Sequence, residues 1–278
     1  MKIGNKDFDV KRSCYIMGIL NVTPDSFSDG GRYNNIDSAL RQTEKMLSEG
    51  MDILDIGGES TRPGYTKISD EEEIQRTAPV IEAVKSRFDV PVSLDTYKYR
   101  VAEAGIKAGA DLINDIWGLK YDKGEMAALI AGSNAACCLM HNRENMDYTS
   151  YFDDVISDME ETVEIAEKAG ISSDRIILDP GVGFAKNYEN NLEIIDRMDE
   201  FRERLGYPVL LGASRKSVIG LTLDLPSDER LEGTIALSVI GAMKGAAFLR
   251  VHDIKENVRA VKMTMAVMKG YRNGQDMH

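Results

Sequence analysis

The chain has 278 residues, 29% charged and 43% hydrophobic, an ordinary globular balance with ample length for a large core. Its 34 basic and 46 acidic residues leave a formal net charge of −12, which argues against non-specific binding to nucleic acid or anionic membranes. No run approaches the roughly 20 apolar residues of a membrane span, so the expectation is a cytoplasmic protein with one domain over residues 1–278. The start, Met1-Lys-Ile-Gly-Asn-Lys-Asp7, carries no apolar signal segment. Three cysteines, two of them adjacent (Cys137 and Cys138), read as reduced buried thiols rather than a disulfide framework.

The elements follow one rhythm. Cys14 to Leu20 is a short apolar run and reads as a first strand, followed by the polar loop Asn21-Val-Thr-Pro-Asp-Ser-Phe-Ser-Asp-Gly-Gly31. Ile36 to Glu49 has helical spacing and stops at Gly50. Met51–Ile56 is a second strand, with a second long loop running from Gly57 through Arg62-Pro63-Gly64 to about residue 68. The acidic Asp70 to Glu73 then opens a helix, as the helix dipole favours.

Further strand and helix pairs follow at Val90–Leu94 and Lys98–Ala108, Asp111–Ile116 and Glu125–Ala131, and Asn134–Met140 and Asp153–Lys168. Arg175–Leu178 precedes one long helix over Asn187–Arg204. Val209–Leu211 precedes helical segments at Lys216–Gly220 and Asp228–Lys244, and Ala247–Val251 with Ile254–Lys269 completes the eighth unit. Short strands without clean alternation suit a parallel sheet covered on both faces. Eight consecutive units predict a (β/α)8 barrel, with an open doubly wound sheet as the rival.

A barrel places every strand C-terminus on one face, where active sites are built. Those ends carry Asn21, Glu59 to Arg62, Asp95, Asn114 with Asp115, His141, Asp179, Ser214 to Lys216, and Arg250 to His252. Asp95, Asp115 and Asp179 can each cap a helix or serve the pocket. Asp179 opens Asp-Pro-Gly-Val-Gly-Phe184, where glycines let backbone approach a ligand closely. A buried carboxylate needs a partner, and two parallel N–H donors would suit one. Arg215 and Lys216 follow strand seven, and Arg250 and His252 share one side of strand eight. The loops after strands seven and eight of such barrels often bind phosphate; a solvated basic turn is the plainer reading of Arg215 and Lys216. Only three histidines are present, and neither HExxH nor CxxC occurs, so zinc is not indicated. His141 reads as structural, and magnesium held by Asn21 and substrate phosphates needs few protein oxygens.

Asn21 to Gly31, Gly57-Gly-Glu-Ser-Thr-Arg-Pro-Gly64, Ser93-Leu-Asp-Thr96, Asn114-Asp115, Leu139-Met-His141, Asp179 to Phe184, Gly212-Ala-Ser-Arg-Lys-Ser217 and Arg250-Val-His252 together resemble the dihydropteroate synthases over essentially the whole chain. The resemblance implies a barrel that joins 6-hydroxymethyl-7,8-dihydropterin pyrophosphate to p-aminobenzoate, releasing pyrophosphate. It implies a pterin held by Asp95, Asn114, Asp179 and Lys216, with Met140 and Phe184 beside it, and it counts Asp115 and Gly212 among the substrate-binding residues. It assigns Asn21, Arg250 and His252 to the pyrophosphate, with Mg²⁺ at Asn21. Thr61, Arg62, Pro63, Phe184, Lys216 and Ser217 fall to the arylamine, the site for which sulfonamide-shaped drugs would compete. The catalytic set is then Asp95, Lys216, Arg250 and His252, and a homodimer is expected. A corrinoid-linked methyltetrahydrofolate methyltransferase shares the barrel and the pterin carboxylates but needs neither the strand-eight cations nor the Thr61–Pro63 loop. A non-catalytic pterin-binding barrel has no use for Lys216 and both long loops.

Overall fold

In a computed structural model of the chain, residues 1–23, 32–59 and 67–275 are described. Eight parallel strands form the barrel: β1 (Tyr15–Asn21), β2 (Ile53–Gly57), β3 (Val92–Asp95), β4 (Leu112–Asp115), β5 (Ala136–Met140), β6 (Ile176–Asp179), β7 (Leu210–Leu211) and β8 (Phe248–Val251). Neighbours in sequence pair in space from β1 to β6, and β8 lies between β1 and β7. A parallel bridge from Leu178 to Val209 joins the two ends of the sheet. The sequence reading of a (β/α)8 barrel is therefore the observed fold.

The helices are α1 (Arg32–Glu49), α2 (Asp70–Arg87), α3 (Tyr99–Ala108), α4 (Glu125–Ala131), α5 (Tyr151–Ala169), α6 (Tyr188–Asp196), α7 (Met198–Leu205), α8 (Ser217–Leu223), α9 (Leu231–Met243) and α10 (Ile254–Gln275). The single helix expected over Asn187–Arg204 is two. Arg197 leaves helical geometry at φ −98°, ψ 21°. Its guanidinium reaches Glu193 and Glu200 at 2.8–2.9 Å and lies 3.5 Å from the Phe152 ring centroid, fixing the break.

Side chains alternate across a strand, and in a closed barrel one parity fills the interior. The lowest inward layer is apolar: Met17, Ile53, Leu112, Cys138, Ile177, Leu210 and Phe248. A short antiparallel pair, Lys2–Ile3 with Lys6–Asp7, was not expected from the sequence. It carries Ile3 and, just after it, Phe8 onto this layer, and the Phe8 ring meets Tyr15 and Phe248 at centroid distances of 4.8 and 5.7 Å. The bottom of the barrel is thus closed by packed hydrocarbon, and polar inward positions are confined to the middle and the C-terminal rim. No helix among the described residues is long and apolar enough to cross a membrane.

Candidate active site

Two residues above the apolar layer, the inward parity meets charge. Asp55, in the middle of β2, is fully buried. Its Oδ1 accepts from Ser93 Oγ at 2.6 Å, and its Oδ2 accepts from Arg250 Nε at 2.6 Å. The same guanidinium donates through Nη2 to Asp95 Oδ2 at 2.6 Å, so one Arg on β8 is shared by carboxylates from β2 and β3. Burial works against the Arg250 charge, but the two carboxylates outweigh it and hold the guanidinium above its usual range.

The next layer is the rim. Strand register places Asn21 opposite Gly57, Gly57 opposite Asp95, Asp95 opposite Asn114, and Met140 opposite Asp179. Gly57 stands between Asn21 and Asp95: a Cβ there would lie 3.5 Å from Asn21 Oδ1 and 3.8 Å from the Asp95 side chain. Gly212 opens the far wall in the same way, 3.4 Å from Asp179 Oδ2. Asp179 accepts the Gly181 N–H at 2.7 Å, and Asp95 Oδ1 is buried with no hydrogen-bond partner among the described residues. A buried carboxylate oxygen without a donor is costly unless a ligand supplies one.

Lys216 comes to this spot from the turn after β7. It donates to the Val182 carbonyl and lies 4.7 Å from the Phe184 ring centroid. Burial, followed by Arg250, lowers its pKa to about 8, while Asp179 and Asp95 pull the other way. Burial raises Asp95 to about 7, with Asp55 and Glu73 adding to the rise against Arg250 and Lys216. Asp179 is raised by burial and held down mainly by Lys216. His252 lies beside Ser214, with Nδ1 3.0 Å from the hydroxyl oxygen. Asp95, Asn114, Met140, Asp179, Phe184, Gly212, Lys216, Arg250 and His252 therefore meet at one end of the barrel, with Asn21 at its edge.

Two predicted residues have other company. Asp115 has the outward parity, and its two oxygens accept the N–H groups of Trp117 and Leu119 at 2.8 Å, shaping the turn after β4. Burial raises its carboxyl to about 6. Arg215 turns to Asp253, pairing with both carboxylate oxygens at 2.6 and 3.0 Å. Ser217 is exposed at the start of α8. Thr61, Arg62 and Pro63 lie outside the described residues, as does residue 24–31 of the first loop.

Asp55, Ser93 and Lys186 complete the site without having been predicted. Lys186, buried, donates to His141 Nδ1 at 2.8 Å and to the Phe184 carbonyl at 3.1 Å. Nε2 of His141 meets Asp158 at 2.9 Å, so the ring is a neutral bridge whose pKa burial lowers to about 4. Burial likewise lowers Lys186 to about 7. Gly181, at φ +72°, admits this packing: a Cβ there would be 2.0 Å from the His141 carbonyl oxygen. The signal for Asp55 was available, since a charge inside an apolar strand requires a buried partner.

The chain matches the family described as pterin binding enzyme over residues 17–252. A dihydropteroate synthase of Clostridium beijerinckii is 56% identical over 270 residues, covering 97% of this chain and all of that protein. Among solved structures, a Clostridium difficile dihydropteroate synthase crystallised with pteroic acid superposes with a TM-score of 0.91 at 47% identity, covering 94% of this chain and 99% of the other. A Xanthomonas albilineans dihydropteroate synthase with 4-aminobenzoic acid gives 0.87 at 40% identity, covering 92% and 93%.

Removing one partner from a buried ion pair leaves an uncompensated charge at a cost of about 3–5 kcal/mol. Asp55→Ala should lose stability on that scale in urea unfolding. The loss should shrink when Arg250→Met is added, because the orphaned guanidinium is then gone.

Proposed function

The chain belongs to the dihydropteroate synthase family, transferases of folate biosynthesis, and from that premise we propose how its own residues carry the reaction. The substrates are 6-hydroxymethyl-7,8-dihydropterin pyrophosphate and p-aminobenzoate, and the products are 7,8-dihydropteroate and pyrophosphate. The observation that carries the reading is the convergence of two buried carboxylates, Asp95 and Asp179, on Lys216, with Asp95 Oδ1 lacking a donor among the described residues. A pterin has a ring N–H beside an exocyclic amino group, a double donor that a carboxylate takes as a pair. Asp179 is assigned to that edge, Lys216 to the pterin carbonyl or ring nitrogen, and Asn114 and Asp95 to the remaining polar atoms. Met140 and Phe184 supply apolar contact.

Substitution is dissociative. The bond from the pterin methylene carbon to the pyrophosphate oxygen breaks first, and its electron pair leaves with pyrophosphate. The carbon left behind is a cation delocalised into the dihydropterin, which the negative charge of Asp95 favours. The arylamine lone pair then forms the C–N bond, and the amine loses a proton; a neutral arylamine needs no strong general base. His252, hydrogen-bonded to Ser214, is assigned to the pyrophosphate. Arg250 is engaged by Asp55 and Asp95, so its charge reaches that region from the barrel interior.

Among the described residues no three His, Cys, Asp or Glu side chains are grouped to hold a metal. The half-buried Asn21 amide oxygen fits magnesium, which takes one or two protein oxygens and completes its shell with phosphate and water. Bound there with the substrate, Mg²⁺ would supply Lewis-acid stabilisation of the developing pyrophosphate charge. We also propose a homodimer through the last helices. α9 packs against both α8 and α10, and all three expose large apolar side chains: Leu221 and Leu223, Ile240 and Met243, Met263 and Val267. Several such side chains exposed on adjoining helices mark an association surface.

Release of pyrophosphate that depends on p-aminobenzoate and Mg²⁺ tests the reaction directly. Lys216→Ala should reduce kcat/KM for the pterin substrate by about 10²-fold or more, and near-wild-type turnover would refute its role. The plot of kcat/KM against pH should be bell-shaped. Activity falls below about 7 as Asp95 gains a proton and above about 8 as Lys216 loses one. A profile flat across that range would contradict both assignments. In light scattering, Met243→Glu with Met263→Glu should convert a dimer to monomer; an unchanged mass would move the interface elsewhere.

A further inference from the structure

Arg215 stands between Ser214, which holds His252, and Lys216, and its own guanidinium is engaged outside the pocket chemistry above. The guanidinium pairs with both carboxylate oxygens of Asp253, at 2.6 and 3.0 Å, and Asp253 directly follows His252. One residue earlier on each loop, the Ser214 hydroxyl oxygen lies 3.0 Å from His252 Nδ1 and accepts the His252 N–H at 3.2 Å. Two consecutive residues after β7 are thus bonded to two consecutive residues after β8.

The backbone of Arg215 is held as firmly as its side chain. Its φ is +57°, a left-handed conformation in which a residue with a Cβ is strained. Its N–H donates to Thr234 Oγ1 at 3.0 Å, and that buried hydroxyl donates in turn to the Arg230 carbonyl at 2.8 Å. Arg230 Nη1 donates back to the Arg215 carbonyl at 3.0 Å, which closes a ring between the turn and the start of α9. Gly220 leaves room for the Arg230 guanidinium, since a Cβ there would overlap it. A strained residue persists only where its surroundings over-determine it, and both peptide groups of Arg215 meet that condition.

Stability alone does not account for this arrangement. An ion pair whose arginine side chain is 35% exposed contributes little to folding. A glycine would take the same φ without strain, so the turn itself has no need of arginine. What arginine adds is a planar fork that takes both oxygens of one carboxylate and so fixes direction as well as distance. The buried charges around Lys98 are differently placed: its ammonium closes on Glu59 at 2.7 Å and on Glu73 and the Ile68 carbonyl at 2.8 Å. The Arg215 pair instead lies between two side chains assigned to the ligand, Lys216 on one side and His252 on the other.

We propose that Arg215 is a positioning residue: paired with Asp253, it locks the turn after β7 to the end of β8, so that Lys216 and His252 meet a ligand at one fixed separation. The proposal rests on the function proposed above, in which Lys216 takes the pterin and His252 the pyrophosphate of one joined substrate. Groups held at a fixed separation favour a joined ligand over its parts, because the second contact is made at high effective concentration. Loosening the lock removes that advantage and leaves the contacts of each separate part in place.

The test uses the full-length protein with Arg215→Ala, Asp253→Asn and the two combined. Asp253→Asn keeps the side chain's shape, so it retains the fold even where Arg215→Ala does not. Calorimetry gives the affinity of each variant for three ligands: 6-hydroxymethyl-7,8-dihydropterin pyrophosphate, the same pterin without its pyrophosphate, and inorganic pyrophosphate with Mg²⁺. The expected result is a loss of about tenfold or more for the joined ligand, with each part bound within about threefold of wild type. Asp253→Asn should cost as much as Arg215→Ala, and the double variant no more than either, because the two side chains act as one pair. Two results would overturn the proposal. In one, Arg215→Ala weakens inorganic pyrophosphate as much as the joined ligand while Asp253→Asn is neutral, which makes Arg215 a direct anion contact. In the other, all three ligands shift equally, or none does, in folded variants. Wild-type turnover separates this claim from the one beneath it. Absent arylamine-dependent pyrophosphate release would sink the enzymatic reading, whereas normal release without the selective loss would sink only the positioning role.

Discussion

The site depends on a guanidinium held inside a barrel. Arg250 is one of the few cations that can be kept charged there, because its planar fork serves two carboxylates at once and its proton is not given up. Asp55 and Asp95 come from neighbouring strands and are stacked one layer apart on the inward parity. Each would be prohibitive alone. Together they make a charge column that starts on packed hydrocarbon at Met17, Ile53 and Phe248 and ends at the rim. The apolar floor matters to the chemistry because it keeps water from screening that column from below.

The column also explains why one rim carboxylate is left incomplete. Asp95 spends Oδ2 on Arg250 and turns Oδ1 to a buried position without a donor among the described residues. Asp179 is satisfied at Oδ1 by its own turn, and its remaining charge faces Lys216. The result is a pair of carboxylates with capacity for N–H donors, the role the proposed function gives them toward the pterin, beside a lysine whose proton is loosened by burial. Such a site pays for its desolvation only when the ligand arrives, which is how binding energy becomes orientation.

Much of this was legible in sequence because strand ends announce themselves. Asp95, Asp179 and Arg250 each close a short apolar run, and a closed parallel barrel gathers such ends whatever their separation in sequence. What escaped was defined by partners far along the chain. Asp55 sits in mid-strand, and its meaning depends on Arg250, 195 positions away. Lys98 reads as the first residue of a helix until Glu59 and Ile68 are brought to it. Lys186 follows the glycine-rich turn and resembles a solvated residue ahead of α6. Asn114 and Asp115 could not be ranked without the strand register, which sends Asn114 inward and Asp115 to the backbone of its own turn. The break at Arg197 is of the same kind, since a helical pattern continues through it and part of what holds the break, the Phe152 ring under the guanidinium, comes from far along the chain.

Two buried charge clusters on one barrel follow different logic, and the contrast is informative about the loops. Around Arg250 the carboxylates retain unused capacity, as a binding site must. Around Lys98 every donor is used and the acceptors are backbone groups and side chains of the protein itself. The first arrangement is completed by a ligand; the second is complete already and can only hold geometry. The dissociative reaction proposed above, in which a carbon cation meets either an arylamine or water, would benefit from such a division. In that proposal the carboxylate beside the cation stays open to a ligand, while Lys98 with Glu59 and Glu73 holds the backbone at Ile68. Placing Asp95 and Lys98 within four residues at the end of one short strand lets a single rigid element meet both requirements.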